Sequence, residues 1–148
     1  MKQLDSTWDR DAALLHSRLV GCVTVDDVAT WQASLRVATD AIPTGTRFKL
    51  LFDLHGYEPA ALDAHRAMRE VIPRLLLHTG MRPAVLGLFD DAPAVTAEPT
   101  PRVRCTAFAN VHHDPDKMAR YEATVGTTDQ RFFSDVATAR AWLLAQAV

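Results

Sequence analysis

The segment from Phe48 to Leu54 constrains the fold more than any other part of the chain. It is a short, dense apolar run that lies between Gly45 and Gly56. Runs of this length and composition are typical of a strand at the centre of a sheet, covered on both faces. A chain that contains such a strand needs helices on both sides of the sheet to keep it from water. We therefore predict an α/β architecture.

Elsewhere along the chain the apolar spacing changes repeatedly between the period of a strand and that of a helix. The strand period, together with short apolar runs, predicts an opening hairpin of two strands and three later strands, over residues 2–9, 13–21, 84–89, 103–111 and 131–133. The helical period predicts four helices, over roughly residues 25–40, 58–80 and 115–125 and, after Ser134, over a last segment that includes 136–143. Strands separated by helices favour parallel pairing, whereas the opening hairpin and the strands on either side of a proline-rich loop at 90–101 would add antiparallel neighbours. This order predicts one domain, residues 1–148, with a mixed, largely parallel sheet.

Several single residues carry local predictions. Thr24, Asp114 and Ser134 are each placed to cap the helix that follows, because their side-chain oxygens can accept a hydrogen bond from its first turn. Pro73 falls inside the second predicted helix, where a missing backbone donor predicts a kink or an early end.

Four buried positions are also predicted. Cys22 and Cys105 lie in apolar stretches, where a free cysteine behaves as a small hydrophobic residue. Trp31 and Trp142 fall on the apolar stripes of helices and are expected in the core. Two cysteines do not make a disulfide framework, and no zinc-type pairing of cysteines occurs.

Composition excludes several classes of protein. Of the 148 residues, 48% are apolar and 23% charged, and the formal net charge is −2, which describes a compact globular domain rather than a low-complexity or collagen-like chain. A chain without an excess of Lys and Arg is not expected to bind nucleic acid. We find neither an apolar run long enough to span a membrane nor a secretory signal, and so expect a cytoplasmic protein.

The order of several segments resembles a known family. A strand ending in glycine leads to a capped helix in residues 19–27, residues 48–53 form an apolar strand ending in aspartate, and the aromatic strand at 131–133 precedes a helix with Ala-x-x-Trp-Leu at 139–143. This arrangement resembles the STAS superfold, specifically its SpoIIAA-like single-domain branch. The resemblance implies regulation or the binding of a ligand in an apolar pocket more often than catalysis.

The family also predicts a phosphorylatable serine, and here the sequence departs from it. In the anti-sigma-factor antagonists of this superfold, that serine opens the helix after the aspartate-ended strand. Residues 54–61 contain neither serine nor threonine. Because phosphoryl transfer needs a hydroxyl, the resemblance carries over the fold but not the phosphorylation switch.

Two polar clusters follow predicted strands and are the candidate site. Polar groups gather at the carboxyl ends of parallel strands, around a crevice. The ligand-binding residues predicted on this basis are Asp53, His55, Tyr57, His112, His113, Asp114, Lys117 and Tyr121. Consecutive strand residues point to opposite faces, so only one of His112 and His113 can face the crevice unless the chain has already turned. The plainer interpretation is that Asp114 caps a helix while the histidines are solvated. His65, Arg66, Arg69 and Arg74 on the second helix are interpreted as a solvated charged face.

These observations predict a non-enzymatic protein that binds a small amphiphilic ligand or a protein partner. No cofactor, metal ligand or catalytic residue is predicted. One alternative is a histidine-dependent hydrolase or a metal-dependent enzyme that uses the same crevice, with Asp53 or Asp114 orienting a histidine. Another is an interaction module that forms a homodimer through an exposed strand edge or helix face.

Overall fold

A computed structural model describes residues 1–85 and 95–148 of the chain. Its strands are β1 (Gln3–Asp9), β2 (Leu14–Val23), β3 (Arg47–Leu54), β4 (Tyr57–Pro59), β5 (Arg104–His112) and β6 (Gln130–Phe133). Its helices are α1 (Val25–Asp40), α2 (Leu62–His78), α3 (Pro115–Val125) and α4 (Val136–Ala145). The predicted α/β class, with a mixed and mostly parallel sheet and four helices, is confirmed.

The sheet has the strand order β1-β2-β3-β5-β6. β1 is antiparallel to β2, as the opening hairpin predicts, and β2, β3, β5 and β6 are parallel to one another. The short β4 pairs with the end of β2. Leu54 at the end of β3 is paired with His112 at the end of β5, so the two segments predicted to carry the site leave the sheet side by side.

The central strand β3 is buried on both faces because its side chains alternate between two layers. Phe48, Leu50, Phe52 and Leu54 belong to the core cluster that includes residues of α1 and α2. Leu51, on the other face, packs in a cluster with Ala139 and Leu143 of α4. The apolar run thus places helices on both faces, as predicted.

Trp31 anchors α1 to the sheet. Its side chain is fully buried, its ring stacks on Phe52 with centroids 5.3 Å apart, and its Nε1 donates a hydrogen bond of 2.7 Å to Ser17 Oγ. A buried indole N–H needs such a partner. Trp142, predicted to be core as well, is only partly buried and packs beside Phe133.

The capping residues predicted for three helices can be compared with the structure. Thr24 forms a complete capping box with Asp27, and Asp114 caps α3 by accepting a hydrogen bond from Lys117 N–H. The prediction for Ser134 is wrong, because the side chain of Asp135 caps α4 instead. Pro73 does not end α2, which continues to His78.

Three further expectations are corrected. Residues 57–59 form β4 rather than the start of a helix, since they pair with Gly21–Val23. Ala84 and Val85 form a 3₁₀ turn, and the rest of the predicted strand, 86–89, lies outside the described residues, as does 90–94 of the loop. Along Phe108–Val111 both edges of β5 are taken by the parallel strands β3 and β6, which leaves no edge there for an antiparallel neighbour.

The two cysteines differ in exposure. Cys105 is buried, as predicted, whereas Cys22 is exposed. Neither is in a disulfide. None of the four described helices combines the length and the apolarity needed to cross a membrane.

Candidate functional site

A cavity of about 460 Å³ lies between α2, α3 and the face of the sheet formed by β3, β5 and β6. Most of its wall is apolar, consisting of Phe52, Leu54, Met68, Ile72, Leu76, Phe108, Met118 and Phe132 with Pro73, Pro83 and Val85. Its polar lining residues are His65, Arg69, Glu70, Arg74, Asn110, His112, Lys117, Tyr121 and Gln130. A cavity of this size and character is typical of sites for small molecules.

The alternation of β5 explains how His112 reaches this cavity. Phe108, Asn110 and His112 are spaced two apart, so they share one face of the sheet and lead from the centre of β5 to its carboxyl end. His65 in the first turns of α2 and Lys117 in the first turn of α3 lie at the same edge. We call the end of the cavity formed by His65, His112 and Lys117 the cavity mouth.

His112 is held as a neutral imidazole. Burial lowers its pKa to about 4, with further lowering by the positive charge of Lys117 and by His113, against an opposing effect of Asp114. Its Nδ1 accepts a hydrogen bond of 3.1 Å from Asp114 N–H. A neutral imidazole that accepts at Nδ1 carries its proton on Nε2. His112 therefore presents an N–H donor at Nε2.

His65 is hydrogen-bonded to a buried tyrosine. Its Nδ1 lies 3.1 Å from the hydroxyl of Tyr57, and either group can donate, depending on the tautomer of His65. Burial raises the pKa of that hydroxyl to about 12, so Tyr57 stays protonated. Burial, followed by the charges of Arg69 and Lys117, lowers the pKa of His65, which favours its neutral form.

Tyr57 itself is not a mouth residue. It lies in β4, is buried in the main core cluster and reaches the cavity only through His65. Conversely, sequence reasoning missed His65 as a cavity residue. The signal was its spacing from Arg69, Ile72 and Leu76, which puts all four on one side of α2, and all four line the cavity.

Positively charged side chains outnumber negatively charged ones among the described residues that line the cavity. Glu70 pairs with Arg74 at 3.1 Å on the exposed surface of α2. Arg69 is exposed and Lys117 half-buried, and within residues 1–85 and 95–148 neither side chain is in an ion pair. Two cations are therefore left without a protein carboxylate in the described part of the chain.

Two amide side chains line the cavity, and they differ in their hydrogen bonding. Gln130 accepts a hydrogen bond of 2.6 Å from Ala84 N–H and donates one of 2.7 Å to the carbonyl of Arg82. Asn110 Oδ1 is buried, and the described residues supply it with no hydrogen-bond partner. Unpaired buried oxygens are uncommon in folded proteins.

The remaining predicted histidines lie beside the mouth but not in the cavity wall. His113 stacks on His112 with centroids 4.2 Å apart, and His55 contacts His113 edge-on at 6.1 Å. His113 Nδ1 accepts a hydrogen bond of 3.0 Å from Gly56 N–H, in a turn that needs glycine because φ there is +96°. Only His112 of the three lines the described cavity, in keeping with the alternation of a strand.

The two predicted carboxylates do not orient these imidazoles. Asp53 points to the opposite face of the sheet, where Oδ2 lies 3.6 Å from His16 Nε2, and its Oδ1 accepts from His55 N–H. Burial raises the pKa of Asp53, but His16 and the His55 N–H outweigh it, so the net pKa is lowered. Asp114 is occupied as the cap of α3. Tyr121 does line the cavity, stacked on Phe132 at 5.5 Å.

A metal centre is not formed by these groups. Within the described ranges, no set of three or more His, Cys, Asp or Glu side chains is arranged to hold a metal ion.

The chain was also compared with known proteins: no family model matches it, and no match was found among curated proteins or solved structures.

Proposed function

We propose that this protein binds a small amphiphilic molecule in the cavity between α2, α3 and the sheet. The observation that carries the proposal is an apolar-walled cavity of about 460 Å³ whose lining also includes the polar groups of the mouth, His65, His112 and Lys117. An apolar ligand body would bury against Phe52, Phe108 and Met118, while its polar head would meet the mouth. Burial of apolar surface supplies the affinity, and a few polar groups fix the orientation.

The size of the cavity favours a small molecule over a protein segment. At about 30 Å³ for each liquid-packed non-hydrogen atom, the volume taken by a water molecule, about 460 Å³ holds roughly 15 such atoms. That corresponds to a short acyl chain or a single substituted ring system with its head group.

Binding is supported over hydrolysis by the hydrogen bond of His112. A histidine that acts as general base at Nε2 needs its proton on Nδ1 and a free lone pair on Nε2. In His112 Nδ1 accepts a hydrogen bond from Asp114 N–H, which places the proton on Nε2. None of the described lining residues is serine, threonine or cysteine, the usual hydroxyl and thiol nucleophiles.

We also propose that the fold is STAS-like, of the SpoIIAA-like kind. In support, an opening hairpin is followed by parallel strands β3, β5 and β6 in sequential order across the sheet, with helices between them. The start of α2 has no side-chain cap, and Ala61 occupies the capping position. The absence of a hydroxyl there favours ligand binding without a serine phosphorylation switch.

The proposal is tested by titrating the full chain with three ten-carbon amphiphiles: decanoate, 1-decanol and decylamine. Isothermal titration calorimetry is expected to show saturable one-to-one binding of at least one of them. A double variant, Met68→Trp with Met118→Trp, should abolish binding because both side chains line the cavity. The matched control is Val37→Trp, since Val37 is 71% exposed on α1.

Circular dichroism verifies that each variant is folded before the titration. Binding that survives the double variant, or no binding of any probe to the native protein, would contradict the proposed function.

A further inference from the structure

Lys117 is the charged group best placed to recognise a ligand head. It lines the cavity from the first turn of α3 and is half-buried. It lines the same cavity as His65 and His112, which lie on different elements, and its positive charge lowers the pKa of both. A half-buried cation that lacks a protein counter-ion is stabilised when a ligand supplies one.

His112 adds a second donor beside Lys117. It carries a proton on Nε2, because its Nδ1 already accepts a hydrogen bond from Asp114 N–H. A head group at the mouth therefore meets one ammonium and one neutral N–H donor. These two donors favour a head group that accepts hydrogen bonds, which a carboxylate does.

The other charges near the mouth do not cancel this preference. Glu70 forms an ion pair with Arg74. Asp114 does not line the cavity, and its Oδ1 accepts a hydrogen bond from Lys117 N–H. Arg69 adds a second positive charge at the exposed rim. Of these two cations only Lys117 is half-buried, and one half-buried cation matches a monoanion better than a dianion such as a phosphate monoester.

We propose that the ligand is an apolar monocarboxylate whose carboxylate is bound by Lys117 Nζ and His112 Nε2–H, with its body in the apolar cavity. This inference rests on the proposed function, since it names the chemical class of the molecule bound in the same cavity. The carboxylate lies at the mouth, toward the carboxyl ends of β3 and β5, and the chain or ring extends between α2 and the sheet. Lys117 and His112 are then the residues that determine specificity.

The test compares head groups on one chain length at pH 7.5, using calorimetry with the full protein. Native protein is expected to bind decanoate at least about tenfold more tightly than 1-decanol, a difference of about 1.4 kcal/mol, and decylamine more weakly still. Lys117→Gln should remove that preference, lowering decanoate affinity about tenfold while leaving 1-decanol affinity unchanged. Lys117→Arg should restore most of the preference because it keeps the charge.

Arg120→Gln is the matched control. Arg120 is exposed one turn further along α3 and does not line the cavity, so its neutralisation should leave the preference for decanoate intact. An equal effect of Arg120→Gln and Lys117→Gln would mean that only general surface charge is involved and would overturn the inference.

The outcomes separate the inference from the proposed function. Equal binding of decanoate and 1-decanol would refute a preference for a carboxylate head group and leave the cavity as a ligand site. Tighter binding of decyl phosphate than of decanoate would refute a preference for a monoanionic head group. No binding of any probe would refute both proposals.

Discussion

Replacing Asn110 with leucine is expected to stabilise the ligand-free protein, although it changes a residue in the middle of the central sheet. Asn110 Oδ1 is buried, and the described residues offer it no hydrogen-bond partner. A buried polar atom without a partner costs about 1–3 kcal/mol. Because the side chain is only partly buried, the lower end applies, and Asn110→Leu should raise the free energy of unfolding by about 1 kcal/mol. In a domain of this size that raises the melting temperature by roughly 2–4 °C.

Gln130 provides the matched control within the same cavity. Both of its amide atoms are hydrogen-bonded, to Ala84 N–H and to the carbonyl of Arg82. Gln130→Met keeps the length of the side chain but leaves those two backbone groups without their partner. We expect it to lower the free energy of unfolding by about 1–3 kcal/mol. Two amide replacements in one cavity should therefore change stability in opposite directions.

Urea unfolding followed by circular dichroism, with thermal unfolding as a second measure, compares the three proteins without ligand. The reasoning would be refuted if Asn110→Leu had a midpoint at or below that of the native protein. A decrease of similar size in both variants would mean that Asn110 is paired in solution and is not a vacant group facing the cavity.

Three further predictions concern stability and reactivity. Burial lowers the pKa of His112 from its usual value of 6.5 to about 4. The unfolded chain therefore takes up the proton first, and the stability of the protein should fall as the pH decreases from about 6.5 to about 4. His112→Gln should reduce this pH dependence in urea titrations at a series of pH values, and an unchanged pH dependence would contradict the prediction. Thr24→Ala removes the capping box of α1 and should cost about 1 kcal/mol in chemical denaturation, whereas a loss near zero would show that the cap is not formed. A thiol reagent should modify Cys22 alone in the native protein, because Cys105 is buried and burial raises its pKa to about 12. Both cysteines should react after denaturation. Two fast-reacting thiols in the native state would contradict the core position of Cys105.

Periodicity was sufficient to predict the layers of the fold. The dense apolar run at Phe48–Leu54 and the caps at Thr24 and Asp114 are local signals, and the structure reproduces them. β4 could not be predicted in this way, because it has three residues and exists through its pairing with Gly21–Val23, far away in the sequence. For the same reason Tyr57 is buried and not in a loop.

The site was predictable only in part. The strand ends of β3 and β5 do meet, and His112, Lys117 and Tyr121 line one cavity. The position of Asp53 follows from strand alternation, which turns it toward His16 on the opposite face. The role of Asn110 depends on which partners surround it, and no pattern in the sequence reports a missing partner.

The most direct test of the proposed function uses the methionine methyl groups as reporters. Met68 and Met118 line the cavity, whereas Met81 is buried elsewhere in the core and Met1 is fully exposed. In a ¹³C-methyl NMR titration of the full chain with decanoate, the signals of Met68 and Met118 are expected to shift together and saturate, while those of Met1 and Met81 stay in place. Saturating binding that leaves Met68 and Met118 unmoved would place the ligand elsewhere and contradict the assignment of this cavity.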